Sequence, residues 1–162
     1  MAERVPEPRV AARGIVLDPD DWILLVMFRS PETGETWWAT PGGGLDAGEP
    51  HEEGLRRELL EEAGIRVDEI GPCVWVREHV FEWGGRLLRQ TERYFLVRVD
   101  STEIAPQFTA EQLASEGLHE VRWWSLRELD EADETFAPSR LPALLRELLE
   151  QGPPAEPIDA GV

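Results

Sequence analysis

Residues 43–65 read GGLDAGEPHEEGLRRELLEEAGI. Proline is tolerated at the first helical position, so Pro50 can open a helix; His51, Glu52 and Glu53 suit its positive dipole end, and Gly64 supplies a stop. The stretch predicts a helix from about Pro50 to Ala63. At 3.6 residues per turn, Glu58, Glu61 and Glu62 fall within an arc of about 100°, with Leu55, Leu59 and Ala63 on the flank beside it. Like charges at i,i+3 and i,i+4 destabilise a helix by roughly 0.2–0.5 kcal/mol a pair, so the arrangement gains nothing for folding unless a cation sits there. Carboxylates at this density suit Mg²⁺ or Mn²⁺, hard ions that keep several waters and recruit substrate phosphates. For the helix taken alone, a solvated acidic face is the simpler reading.

Upstream, Gly42-Gly43-Gly44 reads as a glycine turn whose backbone can approach a phosphate or metal, with carbonyl oxygens able to ligate a hard cation. Val10–Leu17 and Trp22–Arg29 are β-rich runs joined by Asp18-Pro19-Asp20-Asp21, which predicts a hairpin. A second hairpin is expected from Cys73–Trp83 and Leu87–Val99 around Gly84-Gly85, and a last strand at Val121–Ser125. Between Ser101 and Gly117 the expectation is a loop with a turn of helix. A leucine stripe, Leu141, Leu144, Leu145, Leu148 and Leu149, predicts a helix from about Pro138 to Gln151. Strand hairpins interleaved with helices imply an α/β fold with a mixed sheet packed between helices. The ordered domain is expected over residues 10–151, with residues 1–9 and the proline-rich 152–162 flexible.

The 162 residues hold 33 acids against 16 bases, a formal charge of −17, and every base is Arg. This acidity argues against passive binding to a nucleic-acid backbone, which needs Lys/Arg patches, and an anionic ligand would need a neutralising metal. The longest apolar run, Trp22–Phe28, is too short to span a bilayer, and no apolar h-region follows the first residues. A single cysteine, Cys73, excludes an internal disulfide and a multi-thiolate zinc site, which suits a cytoplasmic protein.

The spacing within residues 43–65 resembles the Nudix box at every fixed position: Gly43, five residues, Glu49, seven residues, Arg57-Glu58-Leu59, one residue, Glu61-Glu62, one residue, Gly64-Ile65. Trp37-Trp38-Ala39-Thr40-Pro41-Gly42-Gly43 looks like the family's aromatic-x-x-Pro-Gly-Gly lead-in, and Glu120–Leu129 looks like its late strand and turn. The resemblance to Nudix hydrolases implies an α/β/α sandwich with a central mixed sheet, and hydrolysis of a nucleoside diphosphate linked to another group. It implies that Glu58, Glu61 and Glu62, with the Gly42 carbonyl, ligate Mg²⁺ (Mn²⁺ as substitute), and that Arg57 braces a glutamate, Glu49 or Glu58. In some members a box glutamate is the general base and in others a glutamate from a distant loop; here the candidates are Glu58, Glu116 and Glu120, with Glu111 behind them.

Strand alternation along Cys73–Trp83 puts Trp75, Arg77, His79, Phe81 and Trp83 on one face, a set that could stack on a base and hold a phosphate, or else cap a core or a dimer contact. Of Trp37 and Trp38, one should pack inward and the other, Trp38 by our assignment, line the pocket. Cys73 reads as a small buried hydrophobe. Signatures of NADH-type and coenzyme A-type members are not evident. The proline expected well after the box in ADP-ribose hydrolases is missing, since Pro72 lies only seven residues beyond Ile65. What remains is a pyrophosphohydrolase of (d)NTPs, dinucleoside polyphosphates or similar small molecules, with no membrane and no long nucleic acid as partner, and with homodimerisation left open. The alternative is a nucleotide-sensing Nudix domain without turnover; such domains often carry a damaged box, and this box is intact.

Overall fold

The computed structural model describes residues 4–162. Among the described residues nine strands and four helices follow one another: β1 (Glu7–Leu17), β2 (Ile23–Arg29), β3 (Thr36–Ala39), β4 (Gly42–Gly44), α1 (His51–Ala63), β5 (Cys73–Trp83), β6 (Arg86–Arg98), α2 (Ala110–Ser115), β7 (Leu118–Trp124), α3 (Leu126–Glu131), β8 (Phe136–Ala137), α4 (Leu141–Gln151) and β9 (Ile158–Asp159). The strands form one mixed sheet in the order β8-β3-β2-β1-β6-β5-β9, with β4 paired to β1 and β7 to β2.

The second hairpin forms as expected, β5 and β6 pairing antiparallel around Gly84 and Gly85 at φ 59° and 79°. The first forms only at its tip, Leu17↔Ile23. Beyond that point β1 runs parallel to β6 from Glu7↔Leu88 to Leu17↔Arg98 and antiparallel to β4. The triple glycine is therefore strand rather than turn, and Gly42, at φ 135°, is needed because a Cβ there would overlap the Ala12 carbonyl oxygen.

Alternation along β1 divides the core in two. Ala12 and Val16 face α1, where Leu55, Leu59 and Ala63 are fully buried with Leu24 and Val97. Ile15 and Leu17 face the opposite way, toward Leu141, Leu144, Leu145 and Leu148 of α4 and Leu129 of α3. Each buried leucine contributes about 2 kcal/mol, so the two helices hold the sheet between them chiefly by area removed from water. The layers are those of the expected α/β/α sandwich with a central mixed sheet.

Helix α1 ends at Gly64, in the left-handed region at φ 70°, with the Gly64 and Ile65 amides donating back to Leu60 and Leu59. The loop after β6 supplies further donors: the amides of Ala105, Gln107 and Phe108 bond the carbonyls of Ala63, Leu60 and Glu61. This satisfies the free acceptors at a helix C-terminus and ties the segment carrying α2 and Glu116 to the acidic helix.

The ordered region is wider than residues 10–151. β1 begins at Glu7, so part of the segment expected to be flexible is in the sheet, while residues 1–3 lie outside the described residues. The chain beyond Gly152 likewise departs from a loose tail: Ile158 and Asp159 pair with β5, and Ala160 is fully buried. Its prolines break helix but leave the edge of β5 open to a parallel partner, a pairing that composition does not reveal.

Candidate active site

A cleft of about 1110 Å³ is lined among others by Arg13, Gly42–Gly44, Glu58, Glu62, Arg77, Phe81 and Glu116. One wall is α1. Burying Leu55, Leu59 and Ala63 rotates the neighbouring acids inward, so Glu58 and Glu62 are buried rather than solvated. The Gly42 amide donates to Glu62 Oε2 at 3.1 Å, and Gly43 lies so close that a Cβ there would crowd the Glu58 carboxylate. Gly54 has the same logic, since a Cβ would press on Leu45 and the Glu49 carboxylate.

Arg57 organises the acids around it. Its Nε and Nη2 donate to the two oxygens of Glu49 at 3.0 and 2.9 Å, a bidentate pair, while Nη1 reaches Glu58 Oε1 at 3.1 Å and Glu61 Oε2 at 3.3 Å. The hydrogen bonds from Arg57 hold the Glu49 carboxyl at about 2. Elsewhere burial and repulsion dominate. Burial and then the Glu58 charge push Glu61 up; the same two causes push the more deeply buried Glu62 well up. Glu116 stands at the rim of the cleft, and its partial burial followed by the charges of Glu58 and Glu61 raise it. Glu61, Glu62 and Glu116 are thus each raised by burial and by the Glu58 charge, against the opposing charges of Arg57, Arg13 and Arg9.

Among the described residues no three acidic, His or Cys side chains converge on one point as a closed cage. Mg²⁺ does not require one, because it takes one or two carboxylates and completes its shell with water and phosphate oxygens. The donor set, all oxygen and in excess negative charge, fits such an ion. The Gly42 carbonyl already accepts from Arg13 Nη1 at 3.0 Å, which leaves its second lone pair.

The distant glutamates separate. Glu116 lines the cleft; Glu120, on β7 opposite Met27, is exposed and outside the cleft lining, as is Glu111 on α2. The expected substrate face of β5 also divides. Phe81, His79, Trp83 and Arg77 line the cleft, whereas Trp75 is 1% exposed against Tyr94 and the leucines of α4. Trp75 shares their face, but α4 covers that end of it. The two indoles of β3 are reversed: Trp38, 4% exposed, packs edge-on to Trp124 in the core, and Trp37 lines the cleft beside Phe28 and Trp83. Cys73 is half-buried on the α1 side.

The residues the sequence reading missed, Arg13, Gln90, Glu92 and Tyr94, lie beneath the cleft together with Arg77. Arg13 Nε donates to Glu92 Oε2 and Arg77 Nη1 to Glu92 Oε1, both at 2.8 Å, and Gln90 and the Tyr94 hydroxyl donate to the same carboxylate. Burial alone would raise Glu92; the Arg13 and Arg77 charges overcome it and bring the carboxyl down to about 2. Burial and the Arg77 charge lower His79 to about 4. A signal was available: alternation places Arg13 in line with Ile15 and Leu17, and Glu92 in line with Tyr94, and charges on an inward face call for partners.

A family profile described as NUDIX domain matches residues 7–150, and the chain belongs to that family. It is 35% identical over 129 residues to an RNA pyrophosphohydrolase of Helicobacter pylori, covering 69% of this chain and 79% of that protein. It is 28% identical over 158 residues to the protein named MutT4 of Mycobacterium tuberculosis, 91% of this chain but 60% of the relative's length. Among solved structures, a MutT NUDIX hydrolase from Burkholderia pseudomallei superposes with a TM-score of 0.64 at 26% identity, over 88% of this chain and 98% of that one. Among the described residues no helix is long and apolar enough to cross a membrane.

Proposed function

We propose that this chain is a Mg²⁺-dependent pyrophosphohydrolase that cleaves a phosphoric anhydride in a nucleoside diphosphate linked to another group, a (d)NTP or a dinucleoside polyphosphate, and releases a nucleotide. One observation carries the reading: Arg57 gathers Glu49, Glu58 and Glu61 beside buried Glu62 and the glycines of β4, at the wall of a cleft floored by Arg13 and Arg77. Relatives named RNA pyrophosphohydrolase and MutT support the reaction class.

In this reading Glu58, Glu61 and Glu62 would hold one to three Mg²⁺ ions, with the Gly42 carbonyl as a further oxygen. The chemistry supplied by bound Mg²⁺ is neutralisation of phosphoryl charge and a lowered pKa of water. The chain's own residues do the rest. Arg57 fixes the rotamers of Glu58 and Glu61 and so sets where their oxygens point. Glu116 takes the proton from the attacking water, since its raised carboxyl and rim position suit a base that meets solvent. Arg77 offers positive charge to the nucleotide, while Phe81, Trp83 and Trp37 offer faces for a base.

The test is a coupled phosphate-release screen of the purified protein with Mg²⁺ or Mn²⁺ against nucleoside triphosphates, dinucleoside polyphosphates, nucleotide sugars, ADP-ribose and 5′-triphosphate RNA. Metal-dependent turnover of a small nucleotide is the expected outcome. If none turns over while nucleotides raise the melting temperature, the site serves sensing and the hydrolase reading falls.

A further inference from the structure

Residues 153–162 carry a feature that the proposed chemistry leaves unused. After β9 joins the edge of β5, the Ala160 amide donates to the Val76 carbonyl at 2.8 Å, and the Gly161 amide turns back onto Asp159 Oδ1 at 3.0 Å. The Gly161 carbonyl then accepts from Arg77 Nε at 3.0 Å. One residue on, the Val162 carbonyl accepts from both the amide and the hydroxyl of Ser139, at 3.2 and 2.8 Å. Ser139 follows β8, and β8 and β9 stand at opposite ends of the strand path. The sheet therefore curls until its two edges meet, and the seam is closed by this segment. Val162 and Ser139 both line the cleft.

The same segment controls Arg77. Its Nε is taken by Gly161, and its Nη1 by Glu92 and His79. Among the described residues Nη2 donates to no protein acceptor, and Arg77 lines the cleft. Because the guanidinium is planar, fixing Nε and Nη1 fixes the direction of Nη2. A substrate oxygen entering the cleft thus meets a donor whose aim depends on the Gly161 carbonyl.

We infer that residues 158–162 are a specificity-determining wall of the cleft, clamping the curled sheet across its seam and positioning Arg77 for a nucleotide oxygen. The inference rests on the nucleotide reading above. A clamped seam limits the width of the cleft, so the wall favours a compact nucleoside triphosphate over a bulkier dinucleoside polyphosphate.

Two variants loosen the wall to different degrees. Ser139→Ala deletes one bond of the seam, and Ala160→Glu places a charge where the wild-type side chain is fully buried. For each, kcat and KM would be measured with a nucleoside triphosphate and a dinucleoside tetraphosphate, and affinity with a non-hydrolysable nucleoside triphosphate analogue by calorimetry. The preference for the triphosphate should fall by about threefold in Ser139→Ala and about tenfold in Ala160→Glu, carried by KM rather than kcat. Combined with Arg77→Lys, Ala160→Glu should cost much less than it does alone, because both act on one guanidinium. Should Ala160→Glu fail to fold, Ser139→Ala against Ser139→Thr carries the test, with Thr restoring the preference. An unchanged preference and affinity in the folded variants of an active wild type overturns the wall alone. A wild type that neither binds nor cleaves either nucleotide overturns the hydrolase reading, and the wall with it.

Discussion

Arg13 and Glu92 meet beneath the cleft with Nε and Oε2 2.8 Å apart, and this pair joins the acidic helix to the far strands of the sheet. The path is continuous: Glu62 accepts from the Gly42 amide, the Gly42 carbonyl from Arg13, Glu92 from Arg13 and Arg77, and Gly161 from Arg77. Removing the carboxylate leaves buried Arg77 and half-buried Arg13 without their shared anion. Glu92→Gln should therefore cost about 3 kcal/mol or more in urea unfolding, the range for breaking a buried ion pair. A loss below about 1 kcal/mol would show the network to be dispensable.

The same network makes stability depend on pH. His79 titrates at about 4 in the fold against 6.5 when unperturbed, so between those values the unfolded chain binds the extra proton. Stability from this group is complete above about 6.5 and is lost as the pH falls toward 4. Glu92, at about 2 against 4.5, contributes in full above about 4.5 and is lost on going down toward 2. His79→Gln should flatten the upper part of this decline and leave the lower part. An unaltered slope between pH 6.5 and 4 would remove His79 from the account.

Arg57→Lys keeps a charge but cannot reproduce the fork that holds Glu49 while reaching Glu58 and Glu61. Activity or metal affinity should fall by about 10–100-fold, the usual cost of losing a residue that orients ligands. The melting temperature should move little, because Arg57 is only partly buried. Full activity in Arg57→Lys would show that the acids orient themselves.

Among the acids, Glu61→Gln and Glu62→Gln should each lower kcat by orders of magnitude with the fold retained. Near-wild-type turnover in both would end the metal assignment. In a parallel series, Glu116→Gln should show a larger pure kcat loss than Glu120→Gln, since only Glu116 lines the cleft. If Glu58→Gln alone shows the dominant loss, the base lies on α1.

Stripping divalent ions with EDTA should abolish turnover, and Mg²⁺ should restore it. Adding Mg²⁺ should also raise the melting temperature, because the ion relieves repulsion among Glu58, Glu61, Glu62 and Glu116. Unaltered melting with added Mg²⁺ would argue against a site on α1.

The local elements were legible where a short-range rule governs them. Helix α1 runs from His51 to Ala63 because Pro50 and Gly64 bracket it, and the β5–β6 hairpin turns at Gly84-Gly85 because both residues take positive φ. The buried flank of α1 was legible from the spacing of Leu55, Leu59 and Ala63. The roles of the tryptophans were not. Alternation assigns Trp75 and Phe81 to one face, but nothing along the strand says that α4 covers the first and leaves the second open. Trp37 and Trp38 point in opposite directions by the same rule, which leaves undetermined which direction is the core.

Sequence alone determined the family, the acidic face of α1 and the hairpin that carries Arg77, because each depends on residues close together in the chain. Only the tertiary structure decided that β1 would lie parallel to β6, bringing Arg13 to Glu92, and that residues 158–162 would close the seam against Ser139. Those pairings join positions 79 and 23 residues apart. They form because a buried charge needs a counter-charge and an open strand edge needs a partner, wherever in the chain these are found.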